Sequence, residues 1–211
     1  MDNPGNPSVG SRPLRIGDSA PEFRARTTQG DVALSDYRGR WLVFFSHPAD
    51  FTPVCTTEFV ALAKAEARFA ALDCALLGLS VDSLFSHVAW LRAIRDAFHV
   101  SVDFPVVEDP SMAVGHAYGM IDDDMQGSAT IRSTYFIDPG GIIRAITTYP
   151  HNVGRNVEEM LRMVAALQRA ADDTALTPEG WQPGDDVLLP PAMHMEKSDD
   201  AEWFCKRVAD T

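Results

Sequence analysis

The stretch WLVFFS, residues 41–46, constrains the fold more than any other part of the chain, because it runs six residues without a charge or a break. A strand with one wet face would alternate polar and apolar residues. A continuous apolar run of this length suits a central strand covered on both faces. CALLGLSVD, residues 74–82, repeats the signal. Between the two lies TTEFVALAKAEARFAAL, with apolar residues at helical spacing (Phe59, Leu62, Ala63, Phe69) and charges on the other side. Strands alternating with helices indicate an α/β sheet.

The rest of the chain extends this pattern. SLFSHVAWLRAIRDAF, residues 83–98, predicts a second amphipathic helix with Ser83 as its N-cap. FPVVED predicts a short strand, and SMAVGHAYGM a short helix ending near Gly119. STYFIDPGGIIRAITTYP, residues 133–150, predicts two strands around an Asp-Pro-Gly-Gly turn, and residues 156–173 a strong last helix. The expected class is α/β, a thioredoxin-like fold with helices on both sides of its sheet. Residues 14–38 are expected to be a short lead-in with turns, and residues 1–13 a disordered leader with neither the basic nor the apolar region of a secretory signal. Residues 14–173 form the domain. Residues 174–211 contain TPEGWQPGDDVLLPP, rich in proline and without periodicity, and predict an extended arm on this domain or on a partner subunit.

Composition removes several function classes. A net charge of −12 opposes general nucleic-acid binding and docking on anionic membranes, both of which need a basic face. No apolar run is long enough for a transmembrane helix. The three cysteines, Cys55, Cys74 and Cys205, are too few and too scattered for a disulfide framework, which points to a reducing, cytoplasmic setting. Cys74 begins an apolar strand and reads as buried and inert. His87, His99, His116 and His194 belong to no motif and read as surface or structural residues. Cys55 and His47 alone do not make a metal site, so neither a metal nor another cofactor is expected.

Cys55 is different. It falls in the first turn of its predicted helix, where unpaired backbone N–H groups and the positive end of the helix dipole favour an anion such as a thiolate. Pro53 suits the helix start because that position needs no N–H partner. Thr52 brings a hydroxyl near the sulfur, Pro48 shields the pocket, and Glu58, one turn on, can orient a cation. Arg132 and Arg155 are the cations that could reach the same sheet edge. A nucleophilic sulfur beside cations and hydrogen-bond donors is suited to attack where negative charge develops on a leaving atom.

HPADFTPVCTTEF, with Pro48, Thr52 and Cys55 spaced Pro-x-x-x-Thr-x-x-Cys, resembles the peroxidatic motif of the peroxiredoxins. The likeness continues through GDSAPEF, LLGLSVDS, RSTYFIDPGGIIR, YPHNVGRNVEEMLR and TPEGWQPGDDVLLPP, over about residues 14–191. The arm is similar to that of the one-cysteine, peroxiredoxin-6-type branch, including its archaeal relatives. The resemblance implies a thiol-dependent peroxidase acting on hydrogen peroxide and organic hydroperoxides. Cys55 would form a sulfenic acid, Thr52 would hold the peroxide and Arg132 would stabilise thiolate and peroxide. Pro48 would shield the site, His47 would match the histidine before that proline, and Glu58 and Arg155 would orient Arg132. It implies recycling by an external thiol (thioredoxin, glutathione or similar) and a homodimer or ring of dimers. Cys205, in a terminal Trp-Phe-Cys like that of archaeal relatives, would be a resolving thiol or an incidental one. The Gly-Asp-Ser-Trp-Gly serine segment tied to phospholipase activity in mammalian members is absent; that stretch reads DYRGRWLVFFSHP. Two other functions remain open on the residues alone: a thioredoxin-like disulfide reductase, opposed by the lack of Cys-x-x-Cys, and a redox-regulated chaperone that holds unfolded clients.

Overall fold

The computed structural model describes residues 12–121, 129–191 and 204–210. A seven-stranded mixed sheet runs in the order β2-β1-β5-β4-β3-β6-β7. Its strands are β1 (Arg24–Thr27), β2 (Gly30–Ala33), β3 (Trp41–Ser46), β4 (Cys74–Ser80), β5 (Val106–Glu108), β6 (Arg132–Ile137) and β7 (Ile143–Tyr149). The helices are α1 (Pro53–Ala71), α2 (Leu84–Phe98), α3 (Ala113–Ala117) and α4 (Val157–Arg169). β3, β4 and β5 are mutually parallel, while β6 lies antiparallel to β3 and β7 to β6.

The apolar run of β3 is sorted by strand alternation. Trp41, Val43 and Phe45 join the core formed with α1, α2 and α4. Leu42 and Phe44 join the opposite core, formed with α3, the 3-10 turn Leu34–Tyr37 and the lead-in segment. Both faces are therefore covered, as a strand without polar alternation requires. The Asp-Pro-Gly-Gly turn links β6 to β7, with Gly141 at φ +77 donating its N–H to the Asp138 carbonyl at 2.8 Å. Ser83 caps α2 by accepting from the Ser86 N–H.

Three expectations change. The lead-in is not turns alone, because β1 and β2 pair as a hairpin at the sheet edge. Their sequences, RART and GDVA, are short and polar, and an edge pair needs little apolar alternation, so the pattern carries no strand signal. α4 stops at Arg169, short of residue 173. Asp172 and Asp173 follow, and acidic residues at a helix C-terminus oppose its negative dipole end. α1 begins at Pro53, two residues before Cys55.

The arm packs on its own domain. Ala175, Trp181 and Val187 form a small core with Ala165 and Ala166 of α4, and Leu72 and Val208 pack at its margin. Two short strands, β8 (Val187–Leu188) and β9 (Arg207–Val208), pair within it. Residues 1–11 of the expected leader lie outside the described residues. No helix among the described residues is long and apolar enough to cross a membrane.

Candidate active site

The right-handed geometry of parallel β–α units puts the C-terminal end of β3 and the N-terminus of α1 at one end of the sheet, and the connecting segment 47–52 forms the site's rim. Cys55 is the third residue of α1 and fully buried. Pro53 is the first residue of the helix, where its missing N–H needs no partner. Thr52 holds the N-cap position without capping. Its hydroxyl donates to the Ala49 carbonyl at 2.8 Å. With its proton committed there, the Thr52 oxygen offers lone pairs and accepts a hydrogen bond from whatever enters. Pro48 and Thr52 are half-buried.

Arg132 is the first residue of β6, and only 2% of it is exposed. Its Nη1 donates to the Cys55 sulfur at 3.3 Å and to Glu58 Oε2 at 2.8 Å. Nε and Nη2 both donate to the His151 carbonyl, at 3.0 and 2.8 Å, fixing the guanidinium plane. Glu58 also receives Arg155: the backbone N–H at 2.8 Å and Nε at 3.0 Å on Oε1, and Nη2 at 2.7 Å on Oε2. Arg155 continues to the Ser133 carbonyl and Thr134 Oγ1, and stacks over the Phe45 ring at 5.0 Å. Burial works to raise the Glu58 carboxyl, but the hydrogen bonds and charge of Arg155, with Arg132 behind them, hold it below its ordinary value. Two guanidinium groups and one carboxylate leave a single positive charge. That charge faces the Cys55 sulfur, 3.3 Å from Arg132 Nη1.

Four of the predicted residues thus meet in one network: Cys55, Arg132, Glu58 and Arg155. His47 does not join it. Its Nε2 meets Asp50 Oδ1 at 2.9 Å, and its ring packs against Phe59 and Trp90. Burial lowers its pKa and outweighs the hydrogen bond to Asp50, so the ring is neutral near neutral pH. His87, with no motif to mark it, is buried against the same Asp50. Sequence reasoning passed over Asp50 and the His151 carbonyl. A buried aspartate two residues before the motif threonine was a signal that could have been read, while a backbone carbonyl leaves no mark in sequence. His99 and His116 are exposed, and His194 lies outside the described residues.

Cys74 is buried, its thiol pushed up to about 12 chiefly by desolvation. Cys205 is exposed on the arm. The arm packs beside Leu72, seventeen residues along α1 from Cys55, or about 26 Å away at the helical rise. Within one chain, the arm that carries Cys205 is anchored beside the C-terminal end of α1, and Cys55 lies at the other end.

Residues 16–146 match the AhpC/TSA family, and residues 166–200 match the C-terminal domain of 1-Cys peroxiredoxin. A peroxiredoxin of Methanosarcina mazei is 46% identical over 188 residues, covering 86% of each chain. One of Thermotoga maritima is 43% identical over 205 residues, covering 90% of this chain and 95% of the relative. Among solved structures, a yeast mitochondrial 1-Cys peroxiredoxin, studied for thiol resolution via glutathione/thioredoxin systems, superposes with a TM-score of 0.79 at 44% identity, over 84% of this chain and 87% of that one. A cysteine-to-serine mutant of the peroxiredoxin 6 of Arenicola marina gives a TM-score of 0.80 at 32% identity over 86% of each chain. Both share the thioredoxin-like α/β architecture expected from the strand and helix order. A motif cysteine under a buried arginine, on this fold and with these relatives, makes the chain a member of the AhpC/TSA family, a peroxiredoxin and thiol-dependent peroxidase.

Proposed function

We propose that Cys55 is the peroxidatic residue, and that the chain reduces hydrogen peroxide and small organic hydroperoxides through it. The observation that carries this reading is the 3.3 Å contact from Arg132 Nη1 to the Cys55 sulfur. In the reaction the thiolate attacks the nearer peroxide oxygen. A sulfur–oxygen bond forms, the O–O bond breaks, and its electron pair leaves on the distal oxygen as alkoxide or hydroxide. That oxygen takes a proton to become alcohol or water, and the sulfur is left as sulfenate or sulfenic acid. Arg132 supplies donors where the charge gathers, and Thr52 accepts the O–H of the incoming peroxide through the lone pairs its bond to Ala49 leaves free. Glu58 and Arg155 hold Arg132 in place.

The sealed position of Cys55 requires the start of α1 to open before a second thiol can reach the sulfenic acid. An external dithiol or monothiol of the thioredoxin or glutathione kind then restores the thiolate. Cys205 acts in recycling only from a neighbouring subunit, or after the arm leaves its own domain, since the arm is anchored at the far end of α1. Homodimers, and rings of them, are supported by the exposed Phe51 and Phe85, which follow β3 and β4 at the sheet end that carries the site. Three unpaired thiols agree with a cytoplasmic setting.

The test is Cys55→Ser. Peroxide consumption with a thiol reductant in excess falls to the uncatalysed level. Turnover that survives the change removes Cys55 from the mechanism.

A further inference from the structure

One buried polar cluster has no task in the chemistry above. His47 follows β3, Asp50 lies in the loop before α1, and His87 lies on α2; all three are buried. His47 Nε2 meets Asp50 Oδ1 at 2.9 Å. His87 Nδ1 meets Asp50 Oδ2 at 2.8 Å and Oδ1 at 3.1 Å, and its Nε2 faces the Val107 carbonyl at 3.2 Å. His87 thus lies between two acceptors, the Asp50 carboxylate on one side of its ring and the Val107 carbonyl on the other. Burial works against the Asp50 charge, but the hydrogen bonds from the two imidazoles outweigh it and hold the carboxyl far below the usual carboxylate range. His47 donates a hydrogen bond to Asp50 through its Nε2–H. Its Nδ1 is left bare, buried and without a partner.

The ligand atoms of the three residues lie within 4.8 Å of one another, close enough to suggest a cation. The hydrogen-bond lengths argue otherwise. A tetrahedral ion about 2 Å from each donor would hold neighbouring donors about 3.3 Å apart, wider than the two closest pairs here.

Asp50 sits in the middle of the segment that carries both Pro48 and Thr52. Around it, the Asp50 N–H donates to Asp82 Oδ2 at 2.9 Å, and Thr130 Oγ1 donates to the His47 carbonyl at 2.6 Å. The next residue, Phe51, takes φ +56, a left-handed conformation that an aromatic residue adopts only when its surroundings impose it. The Asp50 side chain is the tether immediately before that turn.

We propose that Asp50 and His87 are positioning residues for the peroxide: their buried carboxylate–imidazole pair locks segment 47–52, and so sets Pro48 and the accepting hydroxyl of Thr52 relative to the Cys55 sulfur. The proposal rests on the peroxidase reading of Cys55. It divides the site into two independent parts. Arg132, Glu58 and Arg155 serve the sulfur. The Asp50–His87 pair, through the loop, serves the peroxide. A defect in the second part slows peroxide and spares reagents that need only an available thiolate.

The experiment compares two reactions of Cys55 in the full chain at one pH: hydrogen peroxide reduction by stopped flow, and alkylation by iodoacetamide. Asp50→Asn keeps the side-chain size but removes the charge, and His87→Gln leaves the bond from His47 to Asp50 in place. Thermal melting selects the variants that fold, and the comparison is made on either. The expected result is a peroxide rate constant lower by about a hundredfold, with alkylation within about twofold of the parent chain, as displacement of a positioning group predicts. A folded variant that keeps the parent peroxide rate overturns the proposal, and so does an equal fall in both reactions. Cys55→Ser is measured alongside. If it still turns over peroxide, the peroxidase reading of Cys55 fails. If it is inactive while Asp50→Asn keeps the full rate, the positioning proposal alone fails.

Discussion

Glu58 is the residue on which the site's electrostatics turn, because it alone stands between two buried guanidinium groups. Removing its charge leaves Arg132 and Arg155 buried with no carboxylate between them, the situation in which a broken buried pair costs about 3–5 kcal/mol. Arg132→Met is different, because it removes a buried charge outright and leaves the Glu58–Arg155 pair intact. Glu58→Gln is therefore expected to destabilise more than Arg132→Met in urea unfolding, while Arg132→Met slows the peroxide reaction by about a hundredfold or more through loss of the donor aimed at the reacting atoms. The reverse order of stabilities would show that the cluster's charge is not balanced as described. Acid tests the same residues and their histidine neighbour. His47 has a folded-state pKa below its ordinary 6.5, so the unfolded chain takes up a proton first as pH falls and stability declines from there. Glu58 and Asp50, held below their ordinary 4.5 and 3.8, hold full stability above those values and lose it as pH falls through the lowered ones. The melting temperature is thus expected to fall in two stages, a first one below about pH 6.5 and a steeper one below about pH 4.5. A melting temperature that is flat down to pH 4.5 would contradict the buried neutral His47.

At the scale of elements, α4 and the residue before its cap link stability to the site. Asn156 caps the helix by accepting from the Glu158 and Glu159 N–H groups at 2.9 and 3.3 Å. Arg155, immediately before it, gives both backbone and side chain to Glu58. Asn156→Ala removes the cap and is expected to cost about 1 kcal/mol in chemical denaturation, the usual penalty for losing an Asn cap. Fraying there loosens Arg155, so peroxide reactivity should fall along with stability. A full loss of cap energy with unchanged reactivity would show that Arg155 is held by the strands behind it instead. α1 and α2 were legible from apolar spacing, and Ser83 from its place ahead of the second helix. The β1–β2 hairpin was not, because four-residue edge strands with charged side chains carry too little pattern.

For the whole molecule, the arm is where the recycling proposal is tested. It is packed at the far end of α1 from Cys55, so an intrachain Cys55–Cys205 disulfide requires the arm to detach. The expected product of one equivalent of peroxide in the absence of reductant is a dimer-sized band on a non-reducing gel, lost in Cys205→Ser. A band that persists in that variant assigns the crosslink to another cysteine. An oxidised chain that stays monomer-sized, with thioredoxin-supported cycling unaltered by Cys205→Ser, marks Cys205 as incidental.

The sequence by itself determined the layered α/β class, through two unbroken apolar strands around an amphipathic helix, and singled out the proposed peroxidatic sulfur, through a local spacing of Pro48, Thr52 and Cys55. Those are short-range properties, written within a turn or a strand of the residues concerned. Only the tertiary structure decided the partners. It brought Arg132 to Cys55 across 77 positions and Arg155 to Glu58 across 97, turned the Thr52 hydroxyl toward Ala49, and joined His87 to Asp50. The physical reason is that a buried charge takes its meaning from the groups that neutralise it. Chain folding, and no sequence pattern, chooses those neighbours.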